Sequence, residues 1–199
     1  NAKGLRNQKS RNKVFNQLRG KSAGIICIQE THSQPSDERY WPSALGGGSM
    51  YFSHGSTNAR GVAIFIDKKI DFQVINKYND TEGRLVTVVL DLKGKKICIA
   101  CVYSPNLSSD PSDKLAHESF LDHVLEHLQD LKKDYDINDT ILAGDFNLIK
   151  DRFFDAAGGN PTIYPKSIAR LDKILEEYEL ADIFREMNPT DRLFTFSPG

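Results

Sequence analysis

Three apolar runs in this chain end in side chains that carry oxygen or amide groups. "IICIQE" finishes at Glu30, "ICIACVY" at Tyr103, and "ILAGDFN" carries Asp145 and Asn147. Polar groups withdrawn from water cost free energy unless they are paired, so their recurrence at the ends of buried strands points to a purpose. Strand side chains alternate between faces, which predicts Asp145 and Asn147 on one face and Phe146 packed on the other. Strand ends that share one rim would bring together a carboxylate pair, a phenol and an amide. That set suits cleavage of a phosphate ester. A hard cation such as Mg²⁺ takes oxygen ligands, usually one or two carboxylates, and keeps sites for water and phosphate. Glu30 could supply one ligand, Asp145 could orient or deprotonate a water, and Asn147 could donate its amide to a phosphate oxygen. Charge stabilisation by the cation and fixed donors would carry most of the rate. Each residue alone has a plainer reading. A single Gly-Asp-x-Asn is often an Asx turn, a terminal glutamate is often solvated, and a tyrosine often packs its ring with a wet tip. The coincidence at three strand ends carries the chemistry.

A second candidate, "HVLEH" at residues 123–127, matches the H-x-x-E-H pattern of zinc proteases. On a helix, Leu121, Val124, Leu128 and Leu131 form the buried stripe. Glu126 then lies nearly opposite, with His123 at the far flank and His127 nearer the edge. A catalytic zinc requires three convergent protein ligands, and no third stands out, so this is a solvated face. Sequence alone gives no role to His32, His54 or His117. Cys27, Cys98 and Cys101 lie in apolar stretches without framework spacing, which reads as core packing in a reducing compartment.

The net charge of −1 does not announce a polyanionic partner for the chain as a whole. The distribution is uneven, however. Lys3, Arg6, Lys9, Arg11, Lys13, Arg19 and Lys21 precede the first acid, Glu30. Such a stripe can contact phosphates or form a solvated helix face.

At 199 residues, with 39% hydrophobic and 27% charged residues, the chain reads as one globular domain spanning 1–199. No apolar run is long enough to cross a bilayer, and no signal-peptide pattern opens the chain. The first residue is Asn1 rather than methionine, which suggests a fragment. Apolar spacing predicts a helix over 10–19 closed by Gly20, and a buried strand up to Glu30. Residues 31–49, with two prolines and a Gly-Gly-Gly run, read as a long loop. Strands follow at 60–66, 71–78, 84–92 and 95–103, the last two joined by a tight Lys-Gly turn. A helix over 113–131, a strand over 140–146, a Gly/Pro-rich loop over 158–165 and a helix over 167–178 complete the reading. Strand clusters interleaved with helices predict an α/β fold, a mixed two-sheet sandwich.

Several short segments, taken in order, resemble a known family. "NAKGLR", "CIQETHS", "GVAIFI", "GRLVTVVL", "VYSPN" and "LAGDFN" follow the order of the endonuclease/exonuclease/phosphatase superfamily. The tail "LADIFREMNPTDRLFTFSPG" is most similar to the apurinic-type endonuclease domain of LINE-type (non-LTR) retrotransposons. The resemblance implies a two-sheet α/β sandwich that cleaves phosphodiester bonds with Mg²⁺, or with Mn²⁺ in its place. By motif match, Glu30 corresponds to a metal ligand and Asn1 to an asparagine of the metal and phosphate network. Tyr103 corresponds to the tyrosine that approaches the scissile phosphate, and Asp145 and Asn147 to the pair that positions water and transition state. Thr195 corresponds to a position near the DNA-binding rim, and Arg6 and Lys9 gain a role beside a DNA backbone. The implied partner is DNA, with no membrane and no obligate protein partner, and a chromosomal substrate implies a nuclear location.

The family pattern also contains a strand before the opening asparagine, an S-R-I-D strand and a final S-D-H, and the last two motifs do not occur in these 199 residues. The expected sandwich is therefore incomplete, lacking its first and C-terminal strands, with exposed sheet edges and a poor or inactive nuclease as the consequence. A non-catalytic nucleic-acid-binding remnant, or a phosphatase acting on lipid or inositol phosphates, is the alternative reading.

Overall fold

The computed structural model describes residues 1–56, 58–156 and 162–192. The chain divides into two compact units: residues 1–104 with 128–146, and residues 105–127 with 147–199.

The first unit is built on two sheets. β1 (Ile25–Gln29), β2 (Gly48–Ser53) and β3 (Val62–Asp67) form an antiparallel sheet in the order β1-β3-β2. β4 (Gln73–Asn79), β5 (Leu85–Leu92), β6 (Lys95–Tyr103) and β7 (Asp139–Asp145) form the second sheet in that order. The β6–β7 pair is parallel and the other pairs are antiparallel. β3 and β5 are rich in branched and aromatic residues, which suit a pleated buried surface. Alternation on β3 sends Val62, Ile64 and Ile66 into a core with Val86, Val88 and Leu90 of β5 and Ile99 and Cys101 of β6. Ala63 and Phe65 face the other way, into a second core with Leu5, Phe15, Trp41 and Phe52. The two sheets thus pack as the predicted sandwich.

α1 (Gln8–Gly20) is capped by Asn7, whose side chain accepts from the Lys9 and Ser10 amides, and it buries Phe15. The helix runs through Gly20 rather than stopping before it. The predicted loop over 31–49 is more ordered than expected: it holds a 3₁₀ turn at Pro35–Asp37, α2 (Trp41–Ala44) and the start of β2. β2 lacks a strong alternating pattern, and its pairing with β3 supplies what its sequence does not signal. The Lys93–Gly94 turn closes the β5–β6 hairpin with φ of +58° and +90°, the left-handed geometry that such tight turns require.

Two expectations about burial are corrected. β1 and β7 are edge strands of their sheets, so Ile25, Ile26 and Cys27 are half-buried and Ile141 is 42% exposed. The cysteines are free, with Cys98 and Cys101 buried, and burial pushes the Cys98 thiol up to about 12.

α3 (Pro111–Tyr135) carries residues of both units, its part up to His127 belonging to the second. Leu121, Val124, Leu128 and Leu131 are buried and Glu126 and His123 exposed, as the helical spacing predicts. The second unit also holds α4 (Arg152–Asp155), α5 (Pro165–Glu177) and α6 (Ile183–Met187). Within it, Arg170 pairs with Glu118 at 3.1 Å and Asp122 at 2.9 Å, tying α5 to α3. Residues 158–161 of the predicted 158–165 loop, and Thr195, lie outside the described residues.

Candidate active site

Four of the side chains singled out from sequence meet in the first unit. β1 delivers Glu30 one residue past its last paired position, with φ of +51°. β6 ends at Tyr103, and its parallel register sets Tyr103 opposite Asp145, the last residue of β7. The segment before α1 runs beside the end of β1: the amides of Ala2, Gly4 and Leu5 donate to the carbonyls of Gln29, Glu30 and Thr31 at 2.8–2.9 Å. That lacing holds Asn1, whose Nδ2 donates to Asp145 Oδ2 at 3.0 Å. The Tyr103 hydroxyl donates to Glu30 Oε1 at 2.6 Å. Glu30, Tyr103, Asp145 and Asn1, spread over 145 positions of sequence, are thereby joined in two hydrogen-bonded pairs.

The electrostatics follow from this crowding. Burial pushes the Tyr103 phenol up to about 12, and the hydrogen bond and charge of Glu30 and the charge of Asp145 act in the same direction. The phenol therefore keeps its proton, and donates a hydrogen bond, at neutral pH.

Sequence reasoning missed Arg84, which lies inside the quoted "GRLVTVVL". Its guanidinium sits 5.5 Å from the Tyr103 ring centroid and donates to the Tyr103 carbonyl at 3.0 Å. Asp80 positions it, since its Oδ1 accepts from the amides of Arg84 and Leu85 and from the Ser53 hydroxyl. Burial and the neighbouring Arg60 charge lower the Arg84 pKa, yet a guanidinium keeps its proton in proteins. Arg84 thus puts a partly desolvated positive charge beside Tyr103. The only sequence signal was an arginine set just before an apolar strand.

Asn147 departs from expectation. β7 stops at Asp145 and Asn147 has φ of +47°, so strand alternation does not extend across the pair. Asn147 belongs to the second unit, two residues on in the chain from Asp145. Arg6 and Lys9 are exposed, as a phosphate-contacting stripe requires. Arg11 is engaged elsewhere: its guanidinium donates to the carbonyls of Leu5 and Arg6 and lies 5.7 Å from the Trp41 ring centroid.

Among the described residues no three His, Cys, Asp or Glu side chains cluster as a metal site. The donors that do converge suit a hard cation with few protein ligands. Glu30 offers a carboxylate, of which Oε1 accepts from Tyr103. Asn1 offers an amide oxygen, which also accepts from the Lys3 amide at 3.1 Å. The His123–His127 pair, with ring centroids 6.4 Å apart, has no third ligand among the described residues.

The model of the endonuclease/exonuclease/phosphatase family matches residues 1–175. The chain belongs to that family. Among curated relatives of this family member, the transposon TX1 uncharacterized 149 kDa protein of Xenopus laevis is 24% identical over 197 residues. That match covers 98% of this chain and spans 14% of the relative's length, and it accords with the likeness to retrotransposon proteins read from the sequence. An AP endonuclease from Archaeoglobus fulgidus superposes with a TM-score of 0.69 at 23% identity, over 98% of this chain and 75% of its own. An AP endonuclease from Leishmania major gives a TM-score of 0.74 at 17% identity, over 100% of this chain and 69% of its own. These likenesses show that the family member shares their two-sheet α/β fold.

Proposed function

We propose that this endonuclease/exonuclease/phosphatase family member hydrolyses phosphodiester bonds in DNA with the help of Mg²⁺, Mn²⁺ being able to replace it. The observation that carries the reading is the meeting of Glu30, Tyr103, Asp145 and Asn1 at the ends of strands from two sheets. The likeness in fold to two AP endonucleases and in sequence to a transposon protein supports DNA as the substrate.

Glu30 and Asn1 would hold the cation, which when bound supplies charge stabilisation at the phosphoryl oxygens. Asp145 orients the attacking water and takes its proton, and the Asn1 amide fixes one oxygen of that carboxylate. Tyr103 keeps its proton at neutral pH, steadies Glu30 and presents a polar edge to the phosphate. Arg84 adds positive charge where negative charge develops. Asn147 is assigned the amide donor to a phosphate oxygen on its motif, and the exposed Arg6 and Lys9 are assigned to the DNA backbone. A chromosomal substrate would place the protein in the nucleus.

Nicking of supercoiled plasmid tests the reading. Mg²⁺-dependent nicking that disappears in Asp145→Ala supports it. DNA binding without nicking favours a binding remnant, and hydrolysis of inositol phosphates or phospholipids in preference to DNA favours the phosphatase alternative.

A further inference from the structure

Next to Glu30 begins a relay of four side chains that the chemistry above does not use. The Thr31 and Ser33 hydroxyls lie 2.9 Å apart, and Ser33 Oγ lies 2.9 Å from His54 Nδ1. His54 Nε2 lies 2.8 Å from Glu38 Oε1. The imidazole also stacks on Phe52, with ring centroids 5.3 Å apart. With a neutral imidazole the relay runs in one direction. Thr31 donates to Ser33, Ser33 donates to Nδ1, and the Nε2 proton goes to the Glu38 carboxylate. The Thr31 hydroxyl oxygen in turn accepts from the Ser33 amide at 3.3 Å.

A serine, histidine and carboxylate in this order resemble the triad of an acyl-transfer hydrolase. Ser33 is only 1% exposed, however, so no acyl substrate can reach its hydroxyl. The inner end of the relay points to a different role. Glu30 and His32 flank Thr31 and both have φ of +51°, a region that residues with side chains seldom occupy. Such a turn persists only when its surroundings hold it. The Thr31 and His32 amides donate to the carbonyls of Gly61 and Arg60 at 2.9 and 3.0 Å. There the backbone fits closely, since a Cβ at Gly61 would lie 2.4 Å from Thr31 Oγ1. That same Thr31 hydroxyl bonds Ser33, which is followed in the relay by His54 and Glu38.

We propose that Ser33 and His54 are positioning residues for Glu30: their relay locks the Thr31 turn and so aims the Glu30 carboxylate. The inference rests on the reading of Glu30 as a cation ligand. Hydrogen-bond partners behind a metal-ligating carboxylate typically alter affinity or activity by about 10–100-fold when removed.

The test compares wild type, His54→Ala, His54→Asn, Ser33→Ala and Glu30→Ala in the intact chain. Two quantities are measured: hydrogen exchange at the Thr31 and His32 amides, and Mn²⁺ affinity by electron paramagnetic resonance. His54→Ala and Ser33→Ala are expected to speed exchange at both amides and weaken Mn²⁺ binding by about tenfold. His54→Asn, whose carbonyl can still accept from Ser33, is expected to restore most of both. Unchanged exchange and Mn²⁺ affinity in a folded His54→Ala or Ser33→Ala protein overturns the proposal. Unchanged Mn²⁺ affinity in Glu30→Ala instead overturns the reading of Glu30 as a ligand, while the exchange data still decide whether the relay holds the turn.

Discussion

The Tyr103 hydroxyl donates to Glu30 Oε1 at 2.6 Å, joining the end of a strand in one sheet to the residue just past a strand in the other. The contact ties the two layers of the sandwich at the place where the chemistry is assigned. Together with burial, it also makes the phenol hold its proton more tightly than a solvated tyrosine does.

The first prediction concerns that proton. With its folded pKa raised from 10 to about 12, Tyr103 favours the fold while both states are protonated, below pH 10. The contribution fades as pH rises through the window from 10 to about 12. A spectrophotometric titration should show a late tyrosinate transition that is missing in Tyr103→Phe and shifts downward in Glu30→Gln. An unchanged late transition in both variants would assign it to another tyrosine. Cleavage by Tyr103→Phe is expected to fall about tenfold, because Glu30 loses a hydrogen-bond partner.

Arg84 serves structure and chemistry through different groups, and substitution can separate the two. Arg84→Ala removes the charge beside Tyr103, with an expected loss on the order of a hundredfold in cleavage. Arg84→Lys retains charge but not the planar donor to the Tyr103 carbonyl, so it should recover only part of the rate. Equal activity of Arg84→Ala and wild type would remove Arg84 from the site.

Gly144, in the Gly-Asp-x-Asn motif, is required by close approach of backbone. A Cβ there would lie 2.1 Å from the Val102 carbonyl oxygen on the neighbouring strand. Gly144→Ala is expected to destabilise by about 1–3 kcal/mol or more through forced strand displacement. Differential scanning calorimetry should show a drop in Tm of roughly 2–4 °C per kcal/mol. A Tm equal to that of wild type would mean that the β6–β7 pair gives way at little cost.

The basic stripe divides into binding and structural members. Replacing Lys3, Lys9 and Lys13 by alanine should leave Tm nearly unchanged. The same replacement should reduce the slope of log affinity for duplex DNA against log salt by about 0.9 for each phosphate no longer neutralised. Arg11→Ala should instead lower Tm, because its guanidinium satisfies the carbonyls of Leu5 and Arg6. An unchanged salt slope in the triple variant would leave the stripe as a solvated helix face.

The sequence by itself determined the strands other than β2, and the polar residues at the ends of β1, β6 and β7. Runs such as "VAIFI" and "LVTVVL" have few alternatives to a buried sheet, and ordered short motifs identified the family before any contact was known. It was also enough to set the HVLEH face aside, because helical spacing alone turns Glu126 away from the buried stripe. Only the tertiary structure decided which polar residues meet. The parallel register opposes Tyr103 to Asp145, and three backbone bonds beside β1 bring Asn1 to the same carboxylate. The same holds for Arg84, and for His54, which local sequence left without a role and which only folding places against Ser33 and Glu38. Apolar periodicity is a local consequence of burial and is written in the chain. The approach of two polar side chains depends on register and loop closure, which no single segment encodes.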